Sequence, residues 1–495
     1  MLDKIKQLTK DTAIYGISTI LGRFFGFILT PFYTHVLPDK GEMGIYNNYY
    51  AAIAFLNVIF IYGMDAAFMK YASLNSGETK KKVFSTAFIA VIVTTAILSV
   101  FLYFLQDTFM SYLDIPKKYF AVDPERFNRF FFYLILILIL DTVTIIPFAY
   151  LRLERKSKKF ALIRLINIVV NLLLNLFFFI QLKWGMESIF LANLIASLMN
   201  LVLLYPDIIK NLVLKIDKEY LRKMFLFGVP YLPASLSATI VQVINRPMVE
   251  KLTDYETLGV FSASYKLGTL MMLVVMMFQF AWQPFFLTNA KEKNAKEIFS
   301  KVLTLFLLFT SLLWVVISLF IDDVMKMKLF GISIYQERYQ DGLVIVPIIL
   351  LGYLFNGIYY NFQAGIYIEE KTKYFPIVTG AGAIVNVVVN LLLIPVWGIM
   401  GAAVATLASY IVMAYGLFYF SQKFYKIEYE FAKIARIIFL LFATTGVYYY
   451  IYYNIGLTFV YKLIILVGFI GMLFLLNVIR KNELIKMTKL LLRLK

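Results

Sequence analysis

The sequence predicts an all-α membrane protein that crosses the bilayer about fourteen times. Of its 495 residues, 61% are hydrophobic, and the mean hydropathy is +0.77. The apolar residues are gathered into blocks of roughly twenty or more, the length of helix needed to cross a hydrocarbon core of about 30 Å. Charged residues are sparse inside these blocks and dense between them. A large soluble enzyme would instead show shorter amphipathic segments broken by polar loops.

The apolar blocks follow one another with short connections along the whole chain. The first block is interrupted by Arg23 and lacks a small-residue cleavage site, so we expect a retained first helix rather than a signal peptide. The expected spans are 12–37, 44–71, 83–105, 129–151, 160–181, 186–205, 224–249, 257–287, 298–320, 342–368, 374–395, 399–420, 433–453 and 458–479.

The distribution of basic residues predicts the orientation. With an even number of spans, both termini and the basic segments KKK (80–82), RLERKSKK (152–159) and KEKNAKE (291–297) fall on one side. Basic loops mark the cytoplasmic side, so both termini are expected there. This topology explains the formal net charge of +18 better than nucleic-acid binding does. The last segment, 480–495, alternates leucines with basic residues and is expected to lie along the anionic inner leaflet.

Composition and motifs exclude several kinds of chemistry. The chain has no cysteine and one histidine, which excludes disulfide frameworks, cysteine nucleophiles and the usual zinc clusters. It contains no G-x-x-x-x-G-K-[ST] phosphate loop, so no nucleotide or other cofactor is expected. A membrane glycosyltransferase or ligase has no support, because the outer loops are short and no acidic metal-binding motif is present. We therefore expect a protein that is not an enzyme.

An internal repeat organises the chain. LPDKGEMGIYNNYYA (37–51) aligns with LTDYETLGVFSASYK (252–266), which matches Gly44 with Gly259. NIVVNLLLN (167–175) aligns with NVVVNLLLI (386–394), and the loops that follow match Trp184 with Trp397. The pairs recur in the same order and at nearly the same spacing. We therefore expect an N-terminal lobe of six helices (1–211), a homologous C-terminal lobe (212–424), and two further helices with a basic tail (425–495).

Two parallel six-helix repeats predict a transporter. Such repeats recur in secondary transporters, where one half rocks against the other around a site near the middle of the membrane. Because no nucleotide motif is present, an ion gradient (H⁺ or Na⁺) or the substrate gradient is expected to drive transport.

The opening residues 12–47 resemble the start of bacterial polysaccharide-repeat-unit flippases, which belong to the multidrug, oligosaccharidyl-lipid and polysaccharide exporter superfamily. The matching features are Gly16, Arg23, Pro31, Tyr33, Thr34, Leu37 and the Gly44-Ile45-Tyr46 turn. The asparagine-rich helix and the W-G loop of each half are similar to that family as well. The resemblance implies a V-shaped, two-lobed transporter that moves undecaprenyl-pyrophosphate-linked glycans from the inner to the outer leaflet. Fourteen helices are shared with the lipid II flippase branch, whereas drug exporters of the superfamily usually have twelve.

Basic residues inside the spans are the first candidates for a binding site. An ionisable group in a membrane helix is unfavourable unless it is paired or hydrated, so it suggests function by default. A pyrophosphate head group requires fixed cations, and Arg suits its geometry. We expect Arg23, Lys266 and Arg246 to bind this group, with Arg164 as an entry contact. The alternatives are pairing of Arg23 with an acidic residue and snorkelling of the other two arginines to the interface.

Polar and acidic residues complete the candidate set. Gln279, Gln283 and Asn361 are candidates for contacts with sugar hydroxyls. Asp141 and Asp65 either take part in ion coupling or neutralise Arg23. The asparagines of helices 5 and 11 are better explained by hydrogen bonds between helices.

These observations predict a flippase for undecaprenyl-pyrophosphate-linked repeat units of O-antigen, capsule or exopolysaccharide, in the bacterial cytoplasmic membrane. Its partners would be the lipid-linked oligosaccharide, membrane lipids, H⁺ or Na⁺, and the polysaccharide polymerase and ligase machinery. A lipid II flippase is one alternative. A cation-coupled drug or metabolite exporter is another, and it predicts an acidic cavity. A scaffold for glycan-assembly enzymes that transports nothing is the third.

Overall fold

The computed structural model describes residues 16, 26–27, 29–119, 121, 123–329 and 331–478. Almost all of them are helical. The helices are α1 (helical at 16, 26–27 and 29–36), α2 (Lys40–Ile61), α3 (Met64–Ser73), α4 (Gly77–Phe104), α5 (Gln106–Leu113), α6 (Arg126–Leu153), α7 (Ser157–Phe177), α8 (Glu187–Asn211), α9 (Lys218–Gly228), α10 (Leu232–Val243), α11 (Asn245–Leu252), α12 (Tyr255–Gly268), α13 (Leu270–Asn289), α14 (Ala295–Lys326), α15 (Val346–Ile368), α16 (Tyr374–Trp397), α17 (Ile399–Phe424), α18 (Phe431–Asn454) and α19 (Phe459–Leu475). Two short strands, β1 (Lys328–Leu329) and β2 (Ile332–Ser333), form a hairpin after α14.

The predicted all-α membrane fold is confirmed. Within the described residues, 12 segments are long and apolar enough to cross a membrane, and α19 is a shorter apolar helix. The first predicted span, 12–37, is described only in part. The chain is therefore a multi-pass membrane protein.

Three of the predicted spans are broken rather than continuous, and the eighth span divides into α12 and α13 at Thr269. The second divides into α2 and α3 at Tyr62 and Gly63, both of which have positive φ. The seventh divides into α9, a 3₁₀ turn (Val229–Tyr231), α10 and α11. Pro230 and Pro233 lie at its first break and lack the backbone N–H that a continuous α-helix needs. The first two breaks pack together, because a Cβ on Gly63 would clash with the backbone of Gly228.

The two homologous stretches identified by the repeat cross each other in the structure. Helix α2 packs along α12, and the crossing is at the two matched glycines. A Cβ on Gly44 would overlap the carbonyl oxygen of Tyr255, and one on Gly259 would overlap that of Lys40. Only glycine permits so close an approach of two backbones. The helix starts match too, since Asp39 caps α2 and Asp254 caps α12.

Many of the helix contacts lie within one half of the chain. In the first half α6 contacts α4, α7 and α8, and in the second half α15 and α16 both contact α17. The halves, here called the first and second lobes, meet chiefly where α2 lies against α10, α11 and α12, and where α9 lies against α3 and α4.

The last described helix, α19, is held to α14 of the second lobe by an ion pair whose lysine is buried. Lys462 of α19 is only 1% exposed, and its Nζ lies 2.7 Å from a carboxylate oxygen of Asp322 and 2.7 Å from one of Asp323. Both aspartates lie near the end of α14. Such a pair fixes the position of α19, because separating a buried cation from its partners is strongly unfavourable.

Candidate functional site

A cavity of about 430 Å³ lies between the two lobes. The first lobe contributes residues of α1, α2, α7 and α8 to its wall, and the second contributes residues of α10, α11, α12, α13 and α15. The wall is therefore assembled from both repeats, and any movement of one lobe against the other changes its shape.

Two of the predicted cations line this cavity, and both come from the second lobe. They are Arg246 of α11 and Lys266 of α12. The Nζ of Lys266 lies 3.6 Å from the position that a Cβ on Gly26 would take, so this side chain reaches across to α1. Among the described lining residues there is no Asp or Glu. The described wall therefore carries positive charge.

A buried amide network positions Arg246. The neighbouring Asn245 is 2% exposed, and its Nδ2 donates to Thr406 Oγ1 at 2.6 Å. Its Oδ1 accepts from Asn390 Nδ2 at 2.8 Å. Because these bonds tie α11 to α16 and α17, the next residue is left facing the cavity. The eleventh predicted span is α16, and for its Asn390 the prediction of a hydrogen bond between helices is confirmed, whereas Asn386 accepts from Asn390 within the same helix.

Lys266 is positioned by the break between α12 and α13. Its carbonyl oxygen accepts from Thr269 Oγ1 at 2.6 Å, just where the helix is interrupted. Gly268 packs against Ile349 so closely that a Cβ would overlap that side chain. A cation in the last turn of a helix is also favoured by the helix dipole.

The first lobe supplies an uncharged, polar wall. Tyr33, Tyr46 and Tyr50 line it with ring centroids 5.7 Å apart for Tyr33 and Tyr46 and 6.1 Å for Tyr46 and Tyr50. Tyr33 donates to Asn175 Oδ1 at 2.8 Å, and Asn175 donates to Asn171, which lines the cavity. Aromatic faces beside amides and hydroxyls suit a ligand that has both C–H faces and hydroxyl groups.

Sequence reasoning missed these tyrosines as site residues, although the repeat contains a signal for two lining pairs. In the alignment of 37–51 with 252–266, Asn47 matches Ser262 and Tyr50 matches Tyr265. All four residues line the cavity. Matched positions of two parallel repeats that cross at a central contact face the same space, so the alignment itself predicts these pairs.

The other predicted basic residues lie elsewhere. Arg23 lies outside the described residues. Arg164 of α7 stacks over Phe148, 4.0 Å from the ring centroid, and does not line the cavity.

The three predicted sugar contacts do not line the cavity either. Asn361 is 2% exposed and donates to the carbonyl oxygen of Gly357 in its own helix. Gln283 is exposed and Gln279 is half-buried, both on α13.

The two predicted acidic residues are engaged within the first lobe. Asp65 Oδ2 lies 3.8 Å from Arg152 Nη2. Asp141 accepts a hydrogen bond of 2.7 Å from Ser197 Oγ and interacts electrostatically with Arg164. Neither lines the cavity.

Contacts between the lobes close the cavity toward the predicted outer side. Arg338, in the 3₁₀ helix after the hairpin, donates to the carbonyl oxygens of Leu37 and Pro38 at 2.5 Å each. His35 Nε2 lies 2.8 Å from the carbonyl oxygen of Ser333. Lys118 and Glu256 form an ion pair of 2.6 Å. These contacts, with the glycine crossing of α2 and α12, are called the outer closure below.

On the predicted cytoplasmic side, the described lobes meet through α9. Phe225 of α9 stacks on Tyr62 with ring centroids 5.2 Å apart, and Lys70 Nζ lies 4.0 Å from the ring centroid of Phe227. The described parts of α13 to α17 pack mainly within their own lobe. Within the described residues, the outer side is closed by polar contacts and the glycine crossing. The inner side is joined by α9 and by the approach of Gly16 to Phe280 of α13.

The fold and the cavity define a two-lobed, multi-pass membrane protein of the kind that the solved structures below share. Residues 8–289 match the family described as polysaccharide biosynthesis protein, which is more than half of the chain. The chain belongs to this family, as the resemblance of its opening residues predicts. No curated protein matches it.

Solved structures share the fold at low sequence identity. The chain is similar to the lipid II flippase MurJ in an inward closed conformation, with a TM-score of 0.72 and 18% identity over 96% of this chain and 100% of that one. It is similar to an inward-facing multidrug resistance MATE family transporter of the MOP superfamily, with a TM-score of 0.66 and 12% identity over 83% and 97%. The Vibrio cholerae MATE transporter VcmN in the bent form gives a TM-score of 0.58 and 13% identity over 85% and 97%.

Proposed function

We propose that this protein translocates undecaprenyl-pyrophosphate-linked oligosaccharide repeat units across the bacterial cytoplasmic membrane. The head group enters the cavity between the lobes while the polyprenyl tail stays in lipid. Both termini lie in the cytoplasm, so the outer closure faces the periplasm. Transport proceeds by alternating access of the two lobes.

The observation that carries the proposal is the charge of the cavity wall. Arg246 and Lys266 line it, and the described lining residues include no carboxylate. A pyrophosphate head group is anionic and binds best to fixed cations that donate charge-assisted hydrogen bonds. An exporter of cationic drugs would need the opposite wall, so the drug-exporter alternative is not favoured.

The two walls of the cavity suggest where each part of the substrate binds. The pyrophosphate binds Arg246 and Lys266 of the second lobe, with Arg23 as a further candidate cation. The first sugars bind the opposite wall, where Tyr50 and Asn193 line the cavity. Both parts of the substrate then bridge the lobes, which links occupancy to their relative movement.

The test is flipping of a labelled undecaprenyl-pyrophosphate oligosaccharide in proteoliposomes. A charge-assisted hydrogen bond contributes about 1.5–3 kcal/mol, so Arg246→Gln and Lys266→Gln should each slow flipping about tenfold or more. The control is Lys301→Gln, which removes an exposed lysine paired with Glu297 on α14. If wild type moves the lipid and only the control variant matches it, the proposal stands. If all three variants match wild type, the cavity does not carry the head group.

The same assay distinguishes the alternatives. Faster flipping of lipid II than of a repeat-unit lipid would assign the cargo to peptidoglycan synthesis. Transport of cationic dyes with no flipping would assign drug export. A protein that moves none of these cargoes would support the scaffold.

A further inference from the structure

A buried carboxylate lies in the interface between the lobes, away from the cavity. Glu250 of α11 is 7% exposed, although it follows the membrane-spanning part of its segment. Helix α11 packs against α2 of the first lobe. The interface around Glu250 therefore forms when the lobes close at the outer side and is taken apart when they open.

The closed interface leaves this carboxylate poorly satisfied. Oε2 of Glu250 is buried without a close hydrogen-bond partner among the described residues. The side chain of Asn48 in the first lobe interacts with the carboxylate, but this is the smallest of the effects that act on it. Oε1 lies 3.5 Å from Nζ of the adjacent Lys251, which is a long ion pair. A carboxylate buried with so little compensation is unfavourable in its charged form.

The charged groups around Glu250 come from both lobes. Lys251 of its own helix favours the carboxylate, and its Nζ also lies 5.2 Å from the ring centroid of Tyr112 in the first lobe. Asp114, at the end of α5, disfavours it. Tyr255 of α12 interacts with Glu250 and donates to the carbonyl oxygen of Leu113 at 2.5 Å, which brings Asp114 close.

Burial raises the pKa of Glu250 to about 7, against the smaller opposing effect of Lys251. In the open interface the side chain would be hydrated and would return toward the ordinary pKa of about 4.3.

We infer that Glu250 is a proton-binding site of the outer interface, so that closing the lobes takes up one proton from the outer solution and opening them releases it. Protonation removes the buried charge and stabilises the closed arrangement. The inference rests on the alternating access of the proposed function but not on the identity of its cargo.

The sign of the pH effect follows from the two protonation states. The closed state has the raised pKa, so the stabilisation of closure is full below the pKa of the open state and is lost as the pH rises through about 7. From about pH 5.5 to about pH 8.5 the ratio of closed to open molecules should fall roughly thirtyfold. Low pH therefore favours the state in which the lobes are closed at the outer side.

Spin-label distances measured at several pH values test this inference. The chain has no cysteine, so Lys117→Cys on the first lobe and Glu337→Cys on the second, both exposed, can be labelled cleanly. In wild-type background the short-distance population should shrink as the pH rises. Glu250→Gln, which resembles the protonated acid, should keep it at every pH. Glu250→Asp should restore the pH dependence, and Lys251→Gln should move its midpoint to higher pH.

Two results would overturn the inference. One is a pH dependence that survives in Glu250→Gln, because the titrating group would then be a different one. The other is a midpoint that does not move in Lys251→Gln. Infrared difference spectra of wild type minus Glu250→Gln give an independent readout, because they show directly whether this carboxyl titrates near neutral pH. A titrating carboxyl with label distances that stay fixed at every pH would overturn the inference as well, because protonation would then not stabilise closure, whereas the proposed transport function is tested separately by the flipping assay.

Discussion

The two ends of the interface between the lobes are built differently. At the outer end, α2 and α12 cross at two glycines, and polar contacts such as the hydrogen bonds of Arg338 surround the crossing. At the inner end, the described lobes meet through α9, largely by aromatic packing such as that of Tyr62 on Phe225. The outer end thus combines close backbone packing at the glycine crossing with surrounding hydrogen bonds that water can replace. The inner end is largely an apolar contact made by a broken helix.

This difference indicates that the outer end is the one that opens as a gate. Polar contacts to backbone carbonyls can be exchanged for water with little net change in free energy, so a few of them can close and reopen. The breaks at Gly63 and in the 3₁₀ turn Val229–Tyr231 lie together, and a broken helix bends more easily than a continuous one.

The largest effect is expected from the glycine crossing. Gly44→Ala places a methyl group on the carbonyl oxygen of Tyr255, and neither backbone can yield without separating α2 from α12. Overpacking of this kind is unfavourable by about 1–3 kcal/mol even in adaptable cores. We expect the outer spin-label distance to lengthen and flipping to fall about tenfold or more.

The matched control is Gly446→Ala on α18, where a Cβ meets nothing within 4 Å. It should leave both measurements unchanged. An outer distance that stays short in Gly44→Ala would show that the crossing does not hold the closure.

A smaller effect is expected at the hairpin side of the closure. Arg338→Gln removes two charge-assisted hydrogen bonds to Leu37 and Pro38, but the side chain is partly exposed and water replaces part of their strength. The open population should rise about tenfold.

Arg436→Gln is the control for this variant, because Arg436 is also exposed and donates to a carbonyl oxygen, that of Leu476, far from the outer closure. If the outer spin-label distances are the same in the two variants, Arg338 does not contribute to the outer closure.

The exposed ion pair of the closure should matter less. Lys118 and Glu256 are both about half exposed, and surface pairs of this kind are weak and screened by salt. Lys118→Glu should raise the open population less than about fivefold, and the double variant Lys118→Glu/Glu256→Lys should restore it. A single variant whose distances are unaffected even at low salt would contradict the assignment.

The smallest effect on the interface between the lobes is expected from loss of the buried ion pair of Lys462. Lys462→Met leaves Asp322 and Asp323 without their buried partner and should destabilise the protein by about 3 kcal/mol, measured as a lower midpoint of thermal unfolding. Because this pair joins α19 to α14 and not one lobe to the other, the outer label distance should not change. A longer outer distance would show that the C-terminal helices take part in gating.

The sequence predicts the membrane fold well, because apolar blocks of spanning length have few other uses. It also predicts the crossing indirectly, since the repeat matches Gly44 with Gly259 before any coordinates are known. What it does not predict is the break at Tyr62, where positive φ follows from packing against α9 and not from a local motif.

The site was only partly predictable. Charge in the membrane is rare enough to point to Arg246 and Lys266, both of which line the cavity. Amides are common inside helix bundles. Residue type alone therefore could not distinguish Asn193, which lines the cavity, from Asn361, which is buried in its own lobe. That distinction depends on which face of a helix lies against the other lobe, and the sequence of a fully apolar helix has no periodic pattern that identifies this face.

The most direct test of the account is to lock the outer closure and ask whether transport stops. Lys118→Cys and Glu256→Cys place one thiol on each lobe at an ion pair of 2.6 Å, in a chain that has no cysteine of its own. Because cysteine is shorter than lysine or glutamate, the two thiols are joined with a bis-maleimide that contains a cleavable disulfide and spans the gap left by the longer side chains. Flipping of the undecaprenyl-pyrophosphate oligosaccharide is then measured in proteoliposomes before and after reduction, with each single-cysteine variant as the control. The account predicts that the cross-linked protein flips no more lipid than empty liposomes and that reduction restores flipping. Undiminished flipping by the fully cross-linked protein would contradict alternating access between these lobes.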